Sequence, residues 1–180
     1  MLDARSPTPV SFDGTVVTED AVVSPLTGLR AAAVRVTLLA KRQPGKHPAT
    51  GDPLGFGGGG GPDTFTRIGD VWFGSELVLA DADAQEVVVA TTGLGVRAAN
   101  IDRGATPLGP VRPPELAQLL ASAPEGLVFY RELRVHHGER MRLKATVFPV
   151  GPRRWETRPD VGPVVLQELG PGSAAKARTN

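Results

Sequence analysis

Between residues 140 and 148 the chain alternates without interruption. Met141, Leu143, Ala145 and Val147 fall on one side, and Arg140, Arg142, Lys144 and Thr146 on the other. Successive side chains of a strand point to opposite faces, so this stretch reads as a strand with one buried and one wet face. A chain that carries such a strand needs a sheet to put it in, and most of the remaining sequence supplies further strands. Gly14–Val23 is dense in β-branched residues. Ala31–Leu39 sets Val34, Val36 and Leu38 against Arg35, Thr37 and Leu39, close to a period of two. Residues 64–101 read as a meander: short apolar pieces at Thr64–Ile68 and Val71–Phe73, strands at Glu76–Ala80 and Glu86–Ala90, and a short strand over Val96–Ile101. Leu127–Val135 and Arg140–Phe148 read as a closing hairpin about the turn His136–Glu139, and Val164–Leu169 as a final edge strand.

Turns separate these pieces. Ser24-Pro-Leu-Thr-Gly28 has Pro to preset φ and Gly to allow positive φ. Asp81-Ala-Asp83 has the acidic start of a calcium loop but lacks its later Gly and Glu, so it reads as a hairpin turn. One helix is expected, Pro113–Ser122, with Pro in its first turn, Glu115 at its positive end and Leu116, Leu119 and Leu120 on one face. Many short strands and one late helix suit a mainly β fold: a small OB-like, partly open β-barrel, with a β-sandwich as the alternative.

The length of 180 residues fits one domain with tails. The sequence divides into a flexible N-terminal arm over 1–13, a single β-rich domain over 14–169 and a disordered polar tail over 170–180. A Gly/Pro-rich mobile insert interrupts the domain at 43–63. Gly57–Gly61 in that insert has no Gly-Lys-Ser/Thr ending, so it is no phosphate-binding loop. Aromatic residues make up 5% of the chain, which leaves the core to Val, Leu and Ala.

Composition also excludes functions. With no cysteine there can be no disulfide, thiol nucleophile, iron–sulfur cluster or thiolate zinc site. The net charge of +1 lacks the basic excess of a dedicated nucleic-acid binder. The N-terminus has no secretory pattern and no stretch approaches a membrane span, so a cytoplasmic, soluble protein is expected.

Three motifs occur in a familiar order. Ser24-Pro-Leu-Thr-Gly28 precedes a strand; Leu77–Val89 is a hydrophobic strand, an acidic turn and a valine strand; and Tyr130-Arg-Glu132 precedes His137-Gly-Glu139 and the strand Arg140–Val147. This order resembles the GIDE-like domain, also called the BAM or beside-a-membrane domain, over roughly residues 14–150. Known members include mitochondrial membrane ubiquitin ligases with a RING finger, and many bacterial members have no assigned function. This chain departs from the pattern: it has Ala31, Ala32 and Ala33 where the family often has a Cys, no membrane helices, and no Cys for a RING. The resemblance therefore implies a β-rich interaction domain and no ligase activity.

No catalytic set is legible. His136 and His137 are adjacent and point apart, His47 lies in the insert, and Gly-x-Ser-x-Gly is absent. No catalytic residue, metal ligand or cofactor is assigned. The candidate binding face is Arg131, Glu132, Arg134, Arg140, Arg142 and Lys144 of the closing hairpin, with Arg153, Arg154 and Trp155 beyond it. Glu132 among these arginines reads as a cross-strand ion pair or as part of a charged surface. The expected function is non-enzymatic: protein–protein contacts within a bacterial assembly. The alternative is an OB-like binder of single-stranded nucleic acid or an anionic membrane surface through the Arg-rich face.

Overall fold

The computed structural model describes residues 6–41, 65–97, 105–109, 113–121, 123 and 128–170. The 43–63 insert lies outside the described residues, as do 1–5 of the expected arm and 171–180 of the expected tail. The fold is mainly β. Its strands are β1 (Thr8–Val16), β2 (Val22–Val23), β3 (Arg30–Ala31), β4 (Ala33–Lys41), β5 (Phe65–Phe73), β6 (Glu76–Ala80), β7 (Glu86–Ala90), β8 (Gly95–Arg97), β9 (Thr106–Pro107), β10 (Val128–Val135), β11 (Arg140–Gly151), β12 (Arg154–Thr157) and β13 (Val165–Glu168). The expected helix is one 3₁₀ turn, Pro114–Leu116, running into α1 (Ala117–Ala121). No helix among the described residues is long and apolar enough to cross a membrane.

The sequence reading drew one domain over 14–169. Contacts group the chain into two compact units, the first formed by residues 1–35, 72–101 and 133–180, the second by 36–71 and 102–132.

The first unit holds a five-stranded barrel. β1 pairs with β6, β6 with β7, β7 with β12, β12 with β11, and β11 closes the ring back onto β1. All these pairings are antiparallel except β12–β7, which is parallel. β13 and β8 extend the sheet beyond β11. The alternation seen in the sequence of β11 is the barrel's inside and outside. Met141, Leu143 and Val147 are buried, and they pack with Leu77, Leu79, Val87, Val89, Trp155 and Leu166. β1 contributes Phe12 and Val16 to the same core. Gly14 lies between them because a Cβ there would stand 2.8 Å from Phe12 Cε1 and 3.1 Å from the Ala80 carbonyl oxygen.

Three expectations are corrected here. The N-terminal arm does not extend to residue 13: Thr8–Thr15 pair in continuous register with Val147–Arg140. Val10, Phe12 and Val16 supply inward-facing apolar side chains, and Pro9 is tolerated because an edge position needs no N–H. Second, β10 and β11 form no hairpin. β11 meets β1 along one edge and β13 and β12 along the other, so no edge is left for β10, which joins β5, β4 and β9 in a separate sheet. Third, β13 is not an edge strand, because it lies between β11 and β8.

The β2–β3 hairpin of the first unit carries the Ser24–Gly28 turn as read. Ser24 is buried, and its Oγ accepts hydrogen bonds from the Leu26 and Thr27 amides, both at 3.2 Å. Gly28 adopts φ +71°, a region in which Gly pays no Cβ penalty.

The separate four-stranded sheet runs β5-β4-β10-β9. Val36, Leu38, Leu39 and Ala40 of β4 are buried. The helical segment buries Leu116, and Leu119 lies against Gly69 of β5. The Phe65 and Phe129 rings meet edge to face with centroids 5.1 Å apart.

Candidate functional site

The residues assigned to one Arg-rich face are divided between the two units. Arg131 and Glu132 belong to the second unit, and the others to the first. Arg131 Nε is buried, with no hydrogen-bond partner among the described residues. Trp155 is 4% exposed and sits in the barrel core, so its ring offers no stacking platform. Arg153 occupies the tight turn between β11 and β12 with φ +58°, a conformation that costs an L-residue about 1–2 kcal/mol. Arg134 lies beside Glu139 and Glu168 around a small cavity of about 80 Å³.

On the barrel surface Arg142, Arg154 and Arg158 stand beside carboxylates. Arg142 donates twice to Asp13, Nε to Oδ1 at 2.6 Å and Nη2 to Oδ2 at 2.7 Å. The pair follows directly from register, since Asp13 and Arg142 are opposite each other on β1 and β11. These bonds hold the Asp13 carboxyl below the usual aspartate range and raise Arg142, with the Arg140 charge adding to the effect on Asp13. Arg154 lies 3.8 Å from Glu86, its partner across the β12–β7 pairing. Arg158 Nε donates to Glu156 at 2.9 Å, and its guanidinium covers the Phe148 ring at 4.4 Å.

A recess of the first unit opens where β1 leaves β6. Its volume is about 590 Å³, and it is walled by Asp13, Gly14 and Thr15 of β1, the Ala80–Asp83 turn and Arg140. Local hydrogen bonds shape the turn: Asp81 Oδ1 accepts from the Asp83 and Gln85 amides, both at 2.9 Å.

A second cluster surrounds the turn between β10 and β11. Asp20 Oδ1 accepts from the His137 amide at 2.7 Å, and its Oδ2 lies 3.2 Å from His136 Nδ1. The amide bond, chiefly, lowers the Asp20 carboxyl below its ordinary range. Burial pushes Glu139 above the ordinary glutamate range, and the negative charges of Glu168 and Asp20 add to it. Among the described residues no group of three or more His, Asp or Glu is placed to hold a metal ion.

Asp13 and Asp20 are the residues that the sequence reading missed. Asp13 was legible: Val10, Phe12, Gly14 and Val16 alternate with Pro9, Ser11, Asp13 and Thr15, the same period of two that marks β11. Asp20 had no local signal, because its partners are more than a hundred residues away in sequence. No protein-family model, curated protein or solved structure matches this chain.

Proposed function

We propose that this chain is a non-enzymatic β-barrel domain that makes protein–protein contacts and, on its resemblance to GIDE-like domains, serves as a component of a larger bacterial assembly. The observation that carries the reading is the β2–β3 hairpin. Its backbone is held by the buried Ser24, yet Val23 and Leu29 beside the turn are 50% and 49% exposed. The Ser24 amide donates to the Leu29 carbonyl at 2.9 Å, so the two apolar side chains flank one ordered turn. An ordered tip that keeps neighbouring apolar side chains in water fits a surface that a partner covers.

The alternative, a nucleic-acid or anionic-membrane surface, draws less support. Arg142, Arg154 and Arg158 each stand by a carboxylate, and a phosphate would have to displace it. Trp155 is in the core.

The test places a photo-crosslinking amino acid at position 29, with the exposed position 152 as control. A discrete adduct at 29 that resists nuclease and is lost on Val23→Asp is expected. In parallel, single-stranded oligonucleotides and anionic vesicles are titrated at low salt. Binding that falls steeply with salt and is lost on Arg140→Ala with Arg142→Ala overturns the proposal.

A further inference from the structure

The barrel is zipped unevenly around β1. Toward β11, β1 is paired from Thr8 to Thr15. Toward β6 it is paired only at Thr15 and Val16, opposite Ala80 and Leu79. Main-chain groups of an antiparallel strand alternate in direction, so it can be settled which residues face the unpaired edge. The Val16 amide donates to Glu139 and the Val16 carbonyl accepts from Gly138, both on the β11 side, whereas the Val17 amide donates to Val78 of β6. The register between Thr8 and Thr15 contains no bulge. Even-numbered residues of β1 therefore bond toward β11 and odd-numbered ones face the other way. Ser11 and Asp13 turn their N–H and C=O groups outward along this edge, and Pro9 adds a carbonyl. No strand pairs with Pro9–Asp13 on this side among the described residues. Pro9 is itself a sign of an open edge, where its missing N–H breaks no ladder.

The recess between β1 and the Ala80–Asp83 turn continues this edge. A strand that prolongs the β6 ladder would run antiparallel to β1, its first residue beside Asp81 and Asp83 and its last opposite Pro9. With Asp13 matched by Arg142, the carboxylates at that first position are Asp81 and Asp83, and Arg140 approaches from the β11 side of β1. A second copy pairing through its own β1 would bring the neutral Thr8 and Pro9 to that position, which leaves the carboxylates unmatched.

We propose that the Pro9–Asp13 edge of β1 accepts, by strand addition, an extended peptide of a partner protein whose first paired residue is cationic. The proposal rests on the protein-contact reading and adds to the hairpin surface a second one, on β1.

The test uses the full chain and a peptide probe, Arg-Thr-Val-Thr-Val, labelled at its C-terminus and followed by fluorescence anisotropy. Ser11→Pro removes an outward-facing donor without touching the β11 ladder, and it is expected to weaken binding about tenfold or more. Val10→Pro, which removes a ladder donor, is the contrasting variant and is expected to unfold the barrel. Should Ser11→Pro also fail to fold, a probe N-methylated at alternate residues keeps the question open to decision: it must lose binding to the unaltered chain. The Ser11 and Asp13 amides are expected to exchange rapidly in the free protein and to become protected by the probe. A Glu-Thr-Val-Thr-Val probe should bind more weakly, and Asp83→Lys should reverse that order.

No binding of the Arg probe, or equal binding to Ser11→Pro, overturns the edge site. Equal binding of the Arg and Glu probes overturns the cationic assignment. Sedimentation showing a dimer that Ser11→Pro disperses overturns the peptide in favour of a second copy. A nuclease-resistant crosslink at position 29 together with a failed peptide titration removes only this inference, whereas oligonucleotide binding removes the contact reading beneath it.

Discussion

The Ala80–Glu86 and Val135–Arg140 connections look alike in sequence, each a short polar turn between two apolar strands, yet they do different things. The first joins β6 and β7, which pair from Glu76↔Ala90 to Ala80↔Glu86. The second joins β10 and β11, which belong to different sheets. Each turn is held by an aspartate. Asp81 does so locally, through the amides of Asp83 and Gln85. Asp20 does so from a distant part of the chain, through the His137 amide and His136. A turn signal thus states that the chain reverses or bends, and the free hydrogen-bonding edges decide whether the strands on either side meet. Next to its turn β11 has both edges taken, by β1 and β13, whereas β6 and β7 each offered one to the other.

The largest expected effect tests the claim that β11 is the strand both sides depend on. Leu143 is fully buried, and Leu143→Ala should cost about 2–5 kcal/mol in denaturant unfolding. A loss well below that range would mean that β11 is not the centre of the barrel.

The aspartates come next. Asp81→Ala and Asp20→Ala should each cost about 1 kcal/mol, the size of a hydrogen-bonded turn. They differ in where the loss shows. Asp81→Ala should speed amide exchange in β6 and β7 alone, while Asp20→Ala should loosen the His136–Glu139 turn and the 17–21 segment together. Exchange changes confined to one site in both variants would erase the distinction. Because the Asp20 carboxyl is lowered, its stabilisation is fully present above the unfolded aspartate range and is lost as pH falls through the lower folded value. The His137 amide resonance should report that titration.

Glu139 has the opposite sign. Its folded value is raised by burial, so its carboxylate costs stability at neutral pH, and the cost disappears as pH falls through the folded value toward the unfolded one. Glu139→Gln should raise the melting temperature at pH 7 and lose that advantage in acid. A variant that melts lower than the parent at pH 7 would contradict the burial argument.

The smallest effect belongs to Arg142→Ala. Its pair with Asp13 is solvent-exposed, so the melting temperature should change least, and the difference should shrink further in high salt.

How much of this was legible depends on how far apart the partners are. The strands Glu76–Ala80 and Glu86–Ala90 were read with the bounds they have, because their period, turn and pairing all lie within one short stretch. The Ser24–Gly28 turn was legible for the same reason. β12 was not read at all: Arg154–Thr157 is only four residues long, and although one edge pairs with the adjacent β11, the other pairs in parallel with β7, far earlier in the chain. The closing hairpin on which the candidate basic face was drawn was misread on similar grounds. Arg131 and Arg140 seemed neighbours across a hairpin, but the register that matters puts Arg142 opposite Asp13.

Local chemistry therefore determined the strand periodicity, the mainly β class, the turns at Ser24–Gly28 and Asp81–Asp83, and the exclusion of thiol chemistry. Side-chain alternation and turn residues act over a few positions and can be read there. Only the tertiary structure decided which strands pair, that β1 begins at Thr8, that Trp155 is core, and that the Pro9–Asp13 edge stays without a strand partner among the described residues. Backbone hydrogen bonds are indifferent to sequence, so strand partners are chosen by which edges remain free when the buried faces come together.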